Sequence, residues 1–177
     1  MSPKYRITAA RPEDLARLPG IELAAARLLA GHAPEAVLRK TTSEGVFRRA
    51  QRNGLLWVAL ANDVAVGFAH VELIERDAAH LEEIDVHPDH GRRGVGTRLI
   101  RHVCHWATNT GYHAVTLTTF RDVPWNSPFY ARLGFEIVPD EQVSESLRAI
   151  VEEEARRGLD PSRRVVMKRR PAMRGWC

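Results

Sequence analysis

Apolar residues along this chain recur in two rhythms, every second position and every third or fourth, and the rhythms alternate from end to end. Alternation by two marks half-buried strands, and recurrence at three and four marks helices packed by one face. Residues 5–10 read as an opening strand. Arg11-Pro12-Glu13-Asp14 starts a helix, with proline and acids where a first turn tolerates them. Pro19-Gly20 is expected to interrupt it, and residues 21–30 resume as a mostly apolar helix ended by Gly31. A short helix begins at Ser43 and runs toward Asn53-Gly54. Residues 55–60 and 64–71 are two strands joined at Ala61-Asn62-Asp63, a hairpin signal.

Residues 80–86 form a further strand, which Pro88 stops because it has no N–H for the ladder. Gly91-Arg92-Arg93-Gly94-Val95-Gly96 follows, and then a helix from Thr97 to about Thr110. Leu99, Ile100, Val103, Trp106 and Ala107 make its apolar stripe, opposite Arg98, Arg101, His102 and His105. Gly111 stops it. Residues 114–119 are β-branched and strand-like. A short helix over 126–133, a strand over 135–138, a helix over 140–157 and a strand over 164–168 complete the pattern. In the helix over 140–157, Glu152 to Glu154 precede Arg156 and Arg157, an order that suits the helix dipole and i,i+4 pairing. The arginine-rich residues 170–177 are expected to fray. Alternating elements with no repeat or linker imply one α/β domain over residues 1–177.

Composition narrows the classes. Hydrophobic residues are 44% and charged residues 27%, the balance of a chain that folds around a core. Net charge is +4, which suits an anionic small ligand and is weak support for nucleic acid. The basic residues Arg163, Arg164, Lys168, Arg169, Arg170 and Arg174 read as a solvated edge and tail, so no nucleic-acid partner is expected. Cys104 and Cys177 are the only cysteines, too few for a disulfide framework, which fits a reducing cytoplasm. Residues 1–10 lack a signal-peptide core, no apolar run reaches membrane-span length, and no membrane partner is expected. His87, His90, His102, His105 and His113 do not form a ligand set, so no metal is expected.

The chemistry concentrates between Leu81 and His105, where a strand, a glycine-rich turn and a helix follow one another. A helix start offers unpaired N–H groups and partial positive charge, and glycines let a ligand come close. Together they suit a phosphate, with Arg92 and Arg93 as charged donors beside it. A Walker loop would need Lys-Ser or Lys-Thr, and a dinucleotide fingerprint a third glycine; neither is present. A pyrophosphate such as that of coenzyme A remains.

The string LEEIDVHPDHGRRGVGTRLI over 81–100 resembles motif A of the GNAT N-acetyltransferases, whose core is Gln or Arg, two residues, Gly, one residue, then Gly or Ala. SPFYARLGF over 127–135 resembles their motif B, A-x-x-x-Y-x-x-x-G-F. The two stand in the family's order and separation, and the resemblance runs from about Tyr5 to Arg169. It departs in three places: Gly91 stands at the Gln/Arg position, leaving only its N–H; no Glu ends the strand before motif B; and residues 140–157 add a helix.

The resemblance implies a mixed, mostly antiparallel sheet of about seven strands flanked by four or five helices. It also implies acetyl-CoA as co-substrate, lying where two central strands splay apart, and a small-molecule or peptide amine acceptor; dimers are common in the family. Gly91, Arg92, Arg93, Gly94, Val95, Gly96 and Thr97 would hold the pyrophosphate, and backbone at Val86 and His87 the acetyl end. Tyr130 would protonate the leaving sulfur, and Asn126 would touch the cofactor or cap its helix. The base falls to Glu82 or Glu83, of which regular alternation lets only one face the acceptor; spacing back from Val86 favours Glu82, and a β-bulge would exchange the two. Glu22, a charge in an apolar helix, and Asp122 are acceptor-side candidates for a cationic amine. A non-catalytic acyl-CoA-binding module on the same fold is the rival reading.

Overall fold

Asn62 and Asp63 both take left-handed backbone, with φ of 49° and 63°, and this two-residue turn fixes the register of the hairpin around it. In the computed structural model, which describes residues 4–170, the hairpin is β2 (Leu56–Ala61) and β3 (Val64–Glu72). β1 (Tyr5–Ala9) pairs with β2, and β4 (Ala78–Val86) pairs with β3, both antiparallel. β5 (Ala114–Phe120), β6 (Glu136–Ile137) and β7 (Arg164–Arg169) complete a seven-stranded sheet of order β1-β2-β3-β4-β5-β7-β6. Only β4 and β5 are parallel. The mixed, mostly antiparallel architecture expected from the sequence is the observed one.

The described residues carry six α-helices: α1 (Leu18–Ala26), α2 (Glu35–Leu38), α3 (Glu44–Arg52), α4 (Val95–Thr110), α5 (Ser127–Ala131) and α6 (Glu145–Arg156). That is more than the four or five expected, because α2 is a single turn no periodicity could reveal. Pro19-Gly20 does not interrupt a helix. Pro19 sits in the first turn of α1, where its missing N–H costs nothing, and a short 3-10 turn over Pro12–Arg17 precedes it. The stretch over 140–157 divides similarly into a turn and α6, which Ser144 caps by accepting from the Leu147 N–H.

The sheet is covered on both faces. On one, Leu99, Ile100, Val103 and Ala107 of α4 pack on Trp57, Val71, Leu81, Leu117 and Met167. Cys104 belongs to this cluster as a small buried residue. On the other, Leu18 and Ile21 of α1 and Phe47 of α3 meet Val58, Leu60 and Phe68, with Phe47 edge-on to Phe68 at 5.2 Å. Truncating a fully buried leucine here costs about 2–5 kcal/mol, so these clusters fix the frame on which the central strands diverge.

Candidate active site

β4 and β5 pair over only three positions, Ala78 to His80 against Ala114 to Thr116. Beyond the His80–Thr116 pair the strands separate. The gap opens into a cavity of about 440 Å³, walled by α1, the segment after α2, β4, β5, α5, α6 and β7.

The second half of β4 supplies its floor. Register against β3 slips there: His70 faces Glu83, while Val71 faces Leu81. Glu82 is therefore the extra residue of a β-bulge. Before the bulge His80 pairs with Glu72; after it Glu83 and Asp85 pair with His70 and Phe68, on the face of α1 and α3. The expectation that only one glutamate faces the cavity is thereby corrected. The bulge absorbs one residue, and Glu82, Glu83 and Asp85 all line the cavity with Glu22 of α1.

These carboxyls depress one another's ionisation. Glu83 and Asp85 hold their protons far above the usual carboxylate range, first through burial and then through neighbouring acids: Glu22 and Glu82 for Glu83, Glu83 and Glu22 for Asp85. The Glu82 side chain is 35% exposed where it lines the cavity. Burial, then Glu72 and Glu154, raises it to about 7. Glu22 is raised by burial, and Thr42 opposes this by donating its backbone N–H to both oxygens at 3.0 and 2.8 Å.

Tyr130 of α5 also lines the cavity, its ring edge-on to Phe135 at 5.9 Å. Burial, Glu83 and Asp85 push its phenol well above the ordinary tyrosine range, so it remains a proton donor. The Asn126 side chain makes no cap bond to α5, so the capping role is not the observed one, and the residue lines the same space. Asp122 does not line it. Arg163 engages Asp122 at 2.9 Å and also donates to the His32 carbonyl at 2.7 Å.

The glycine turn lies just past β4. The His87 N–H donates to the Val66 carbonyl at 2.8 Å, toward β3. By strand alternation the N–H groups of Ile84 and Val86 point the other way, into the splay. The His87 ring accepts from the Asp89 N–H at 3.3 Å and so caps the turn. Arg92 and Gly94 take left-handed backbone, with φ of 56° and 76°. For Arg92 this conformation is strained, as at many ligand-cradling turns. The first intrahelical bond of α4 runs from Arg98 N–H to the Gly94 carbonyl at 3.0 Å. The N–H groups of Val95, Gly96 and Thr97 precede it and form an anion cradle under exposed Arg92 and Arg93. The Gly91 N–H, expected to be available, instead donates to the Pro88 carbonyl at 2.9 Å. A Cβ on Gly96 would lie 3.7 Å from Phe129 and 3.9 Å from Val86, so α4, β4 and α5 converge there. The start of α4, the end of β4 and α5, which carries Tyr130, thus meet at Gly96.

Residues 24–135 match the acetyltransferase (GNAT) family. The chain belongs to that family. Several solved structures share the fold of this GNAT chain. PaiA N-acetyltransferase from Thermoplasma acidophilum, solved with coenzyme A, has TM-score 0.71 and 19% identity over 95% of this chain and 99% of its own. The ribosomal-protein-S18-alanine N-acetyltransferase from Escherichia coli has TM-score 0.66 and 20% identity, covering 98% and 99%. N-acetylglutamate synthase from Neisseria gonorrhoeae, complexed with coenzyme A and N-acetyl-glutamate, has TM-score 0.69 and 16% identity over 96% of this chain but 36% of its own.

Several cavity residues escape sequence reading. Asp85 sits in plain view within motif A, but only the bulge tells that it faces the cavity. Glu154, read only as part of the charge order along its helix, turns inward: it accepts from Thr118 at 2.5 Å and pairs with Arg164 at 2.6 Å. Arg164, read as a solvated strand edge, stacks over Phe120 at 4.8 Å. Arg174 and Cys177 lie outside the described residues. No helix of the described residues is long and apolar enough to cross a membrane.

Proposed function

We propose that this GNAT chain moves the acetyl group of acetyl-CoA directly to a primary amine. The observation that carries this is the splay: a proton acceptor, a proton donor and aimed backbone N–H groups meet where β4 and β5 part. Acetyl-CoA supplies the activated thioester. The N–H groups of Val95, Gly96 and Thr97, with Arg92 and Arg93, bind the pyrophosphate. The N–H groups of Ile84 and Val86 donate to the carbonyl oxygen as it gains charge. Glu82, whose proton affinity lies near neutrality, takes the proton of the incoming amine. Tyr130 gives its proton to the departing sulfur. Glu83 and Asp85, which burial and neighbouring acids keep protonated near neutrality, offer hydrogen-bonding oxygens to the amine, with Glu22 on the facing wall. Holding both reactants in one cavity supplies several kcal/mol more, about 7–11 at the limit.

Thiol release from acetyl-CoA, followed against a panel of amines with wild type and Tyr130→Phe side by side, tests this reading. Turnover on one amine class, reduced about tenfold or more in the variant, is expected. Absence of turnover on every amine, with acetyl-CoA still bound by calorimetry, would show a binding module instead.

A further inference from the structure

The apex of the splay holds a buried polar pair that the reaction as described leaves unused. His80 and Thr116 are the last registered pair before β4 and β5 separate, and both are essentially inaccessible, at 1% and 0%. His80 Nδ1 lies 3.0 Å from Thr116 Oγ1. Its other ring nitrogen, Nε2, lies 3.7 Å from Glu82 Oε2. Residues two apart on a strand share a face, so Glu82 lies on the side of the imidazole, and the bulge that follows leaves its carboxylate without a paired neighbour on β3. A polar ring at the core of a sheet is expensive unless both nitrogens are used. Here one is held by Thr116 and the other faces the Glu82 carboxyl.

We propose that His80 is a positioning residue for Glu82: clamped through Nδ1 by the Thr116 hydroxyl, it presents Nε2–H to the carboxylate and so fixes its orientation and favours its ionised form. This rests on the assignment of Glu82 as base. Burial keeps His80 neutral, its proton affinity lowered to about 4, so one nitrogen donates while the other accepts. The carboxylate, which only accepts, selects which: the single ring N–H faces it on Nε2, and the Thr116 hydroxyl, able to donate or accept, donates to Nδ1. Around Glu82 stand further groups that set its titration: Glu72 on β3, Glu83 on β4, Glu154 on α6, Arg157 just past its end, and Arg164 on β7. His80 differs from these in being fixed by a second strand at the cavity's closed end.

The test uses the full chain labelled at histidine nitrogen and glutamate carboxyl carbon, read by NMR without any acceptor. Glu82→Gln identifies the Glu82 resonance. Wild type is expected to show the tautomer protonated at Nε2. In Thr116→Val and in His80→Gln the midpoint of Glu82 should rise by about one pH unit, and Thr116→Ser should restore it. If His80→Gln does not fold, the Thr116 pair of variants decides. A proton on Nδ1, or a midpoint that stays or falls in Thr116→Val, overturns the proposal. Should Glu82→Gln leave amine turnover intact, the base assignment fails by itself, while the spectra still decide what His80 does.

Discussion

β4 is one strand with two environments. Its first half, Ala78 to Leu81, is buried and bonded on both sides, to β3 and, through His80, to β5. Its second half, Glu82 to Val86, is bonded to β3 alone and faces a cavity. The first half contains two alanines, a histidine and a leucine, and the second carries three carboxylates in five residues. A strand that loses a neighbour exposes backbone donors, and a bulge at the same point re-aims its side chains. The lesson is that acids and unpaired backbone donors gather where pairing stops, while the paired half supplies the rigidity that holds them in place.

The comparison breaks most severely if the open half is disarmed. Glu82→Gln keeps the size and the hydrogen-bonding reach of the side chain but cannot take a proton. We expect kcat/KM to fall about 100-fold on the amine that turns over, with acetyl-CoA affinity unchanged by calorimetry. An unchanged rate would move the proton to Glu83, Asp85 or water. Next in size is a change on β3 that presses on β4 from behind. A Cβ on Gly67 would meet the Asp85 carbonyl at 2.8 Å and Val86 Cγ2 at 3.2 Å. Gly67→Ala should therefore shift the strand end that carries the Ile84 and Val86 donors, losing about 1–3 kcal/mol of stability in urea titration. It should also lower kcat more than it raises KM for acetyl-CoA, since a small misplacement acts on the chemical step.

The frame of this fold was legible because it rests on local rules. The hairpin at Asn62-Asp63, the glycine turn before α4 and the stripe of Leu99, Ile100 and Val103 announce themselves within a few residues. The helix start that follows the turn was legible for the same reason, save that the Gly91 N–H is taken by the carbonyl of Pro88, three residues upstream. The cavity was not legible as a whole. Its walls come from α1, β4, α5, α6 and β7, separated by up to most of the chain, and no window of sequence brings Glu22, Asp85 and Glu154 together. The bulge was foreseeable as a possibility, yet its presence is decided by the pairing of His70 and Val71 across the sheet, a tertiary fact. Asp122 misled because an acid near a cleft looks the same in sequence whether or not an arginine such as Arg163 engages it.

The next prediction sharpens the contrast through pH. Glu83 has a folded-state proton affinity raised above its ordinary value of 4.5, chiefly by burial. The native state then binds more protons than the unfolded chain as pH rises above that value, so Glu83 removes stability with increasing pH. His80, lowered from 6.5 to about 4, acts oppositely: the unfolded chain binds more protons between those values, and stability grows as pH rises through them. Glu83→Gln deletes the first slope and keeps the second. Its stability relative to wild type should therefore improve by on the order of 1 kcal/mol between about pH 5 and about pH 8, read as urea midpoints at constant m. A difference that does not vary with pH would mean that Glu83 titrates normally and that the cavity floor is wetter than its geometry implies.

The smallest effect belongs to the cradle's rim. Arg92 and Arg93 are exposed, and charges in water are screened and cost entropy to hold. The backbone N–H groups of Val95, Gly96 and Thr97 do not share that weakness, because α4 fixes them before any ligand arrives. Arg93→Ala should raise KM for acetyl-CoA only about twofold to fivefold, leave kcat unchanged, and lose even that difference as salt is raised. Arg92→Gly separates charge from backbone. It removes the guanidinium yet relieves the left-handed strain at φ 56°. A stability gain of up to about 1 kcal/mol with the same small KM penalty is expected, which would place the grip on the pyrophosphate in the helix start and leave the arginines to draw the ligand in.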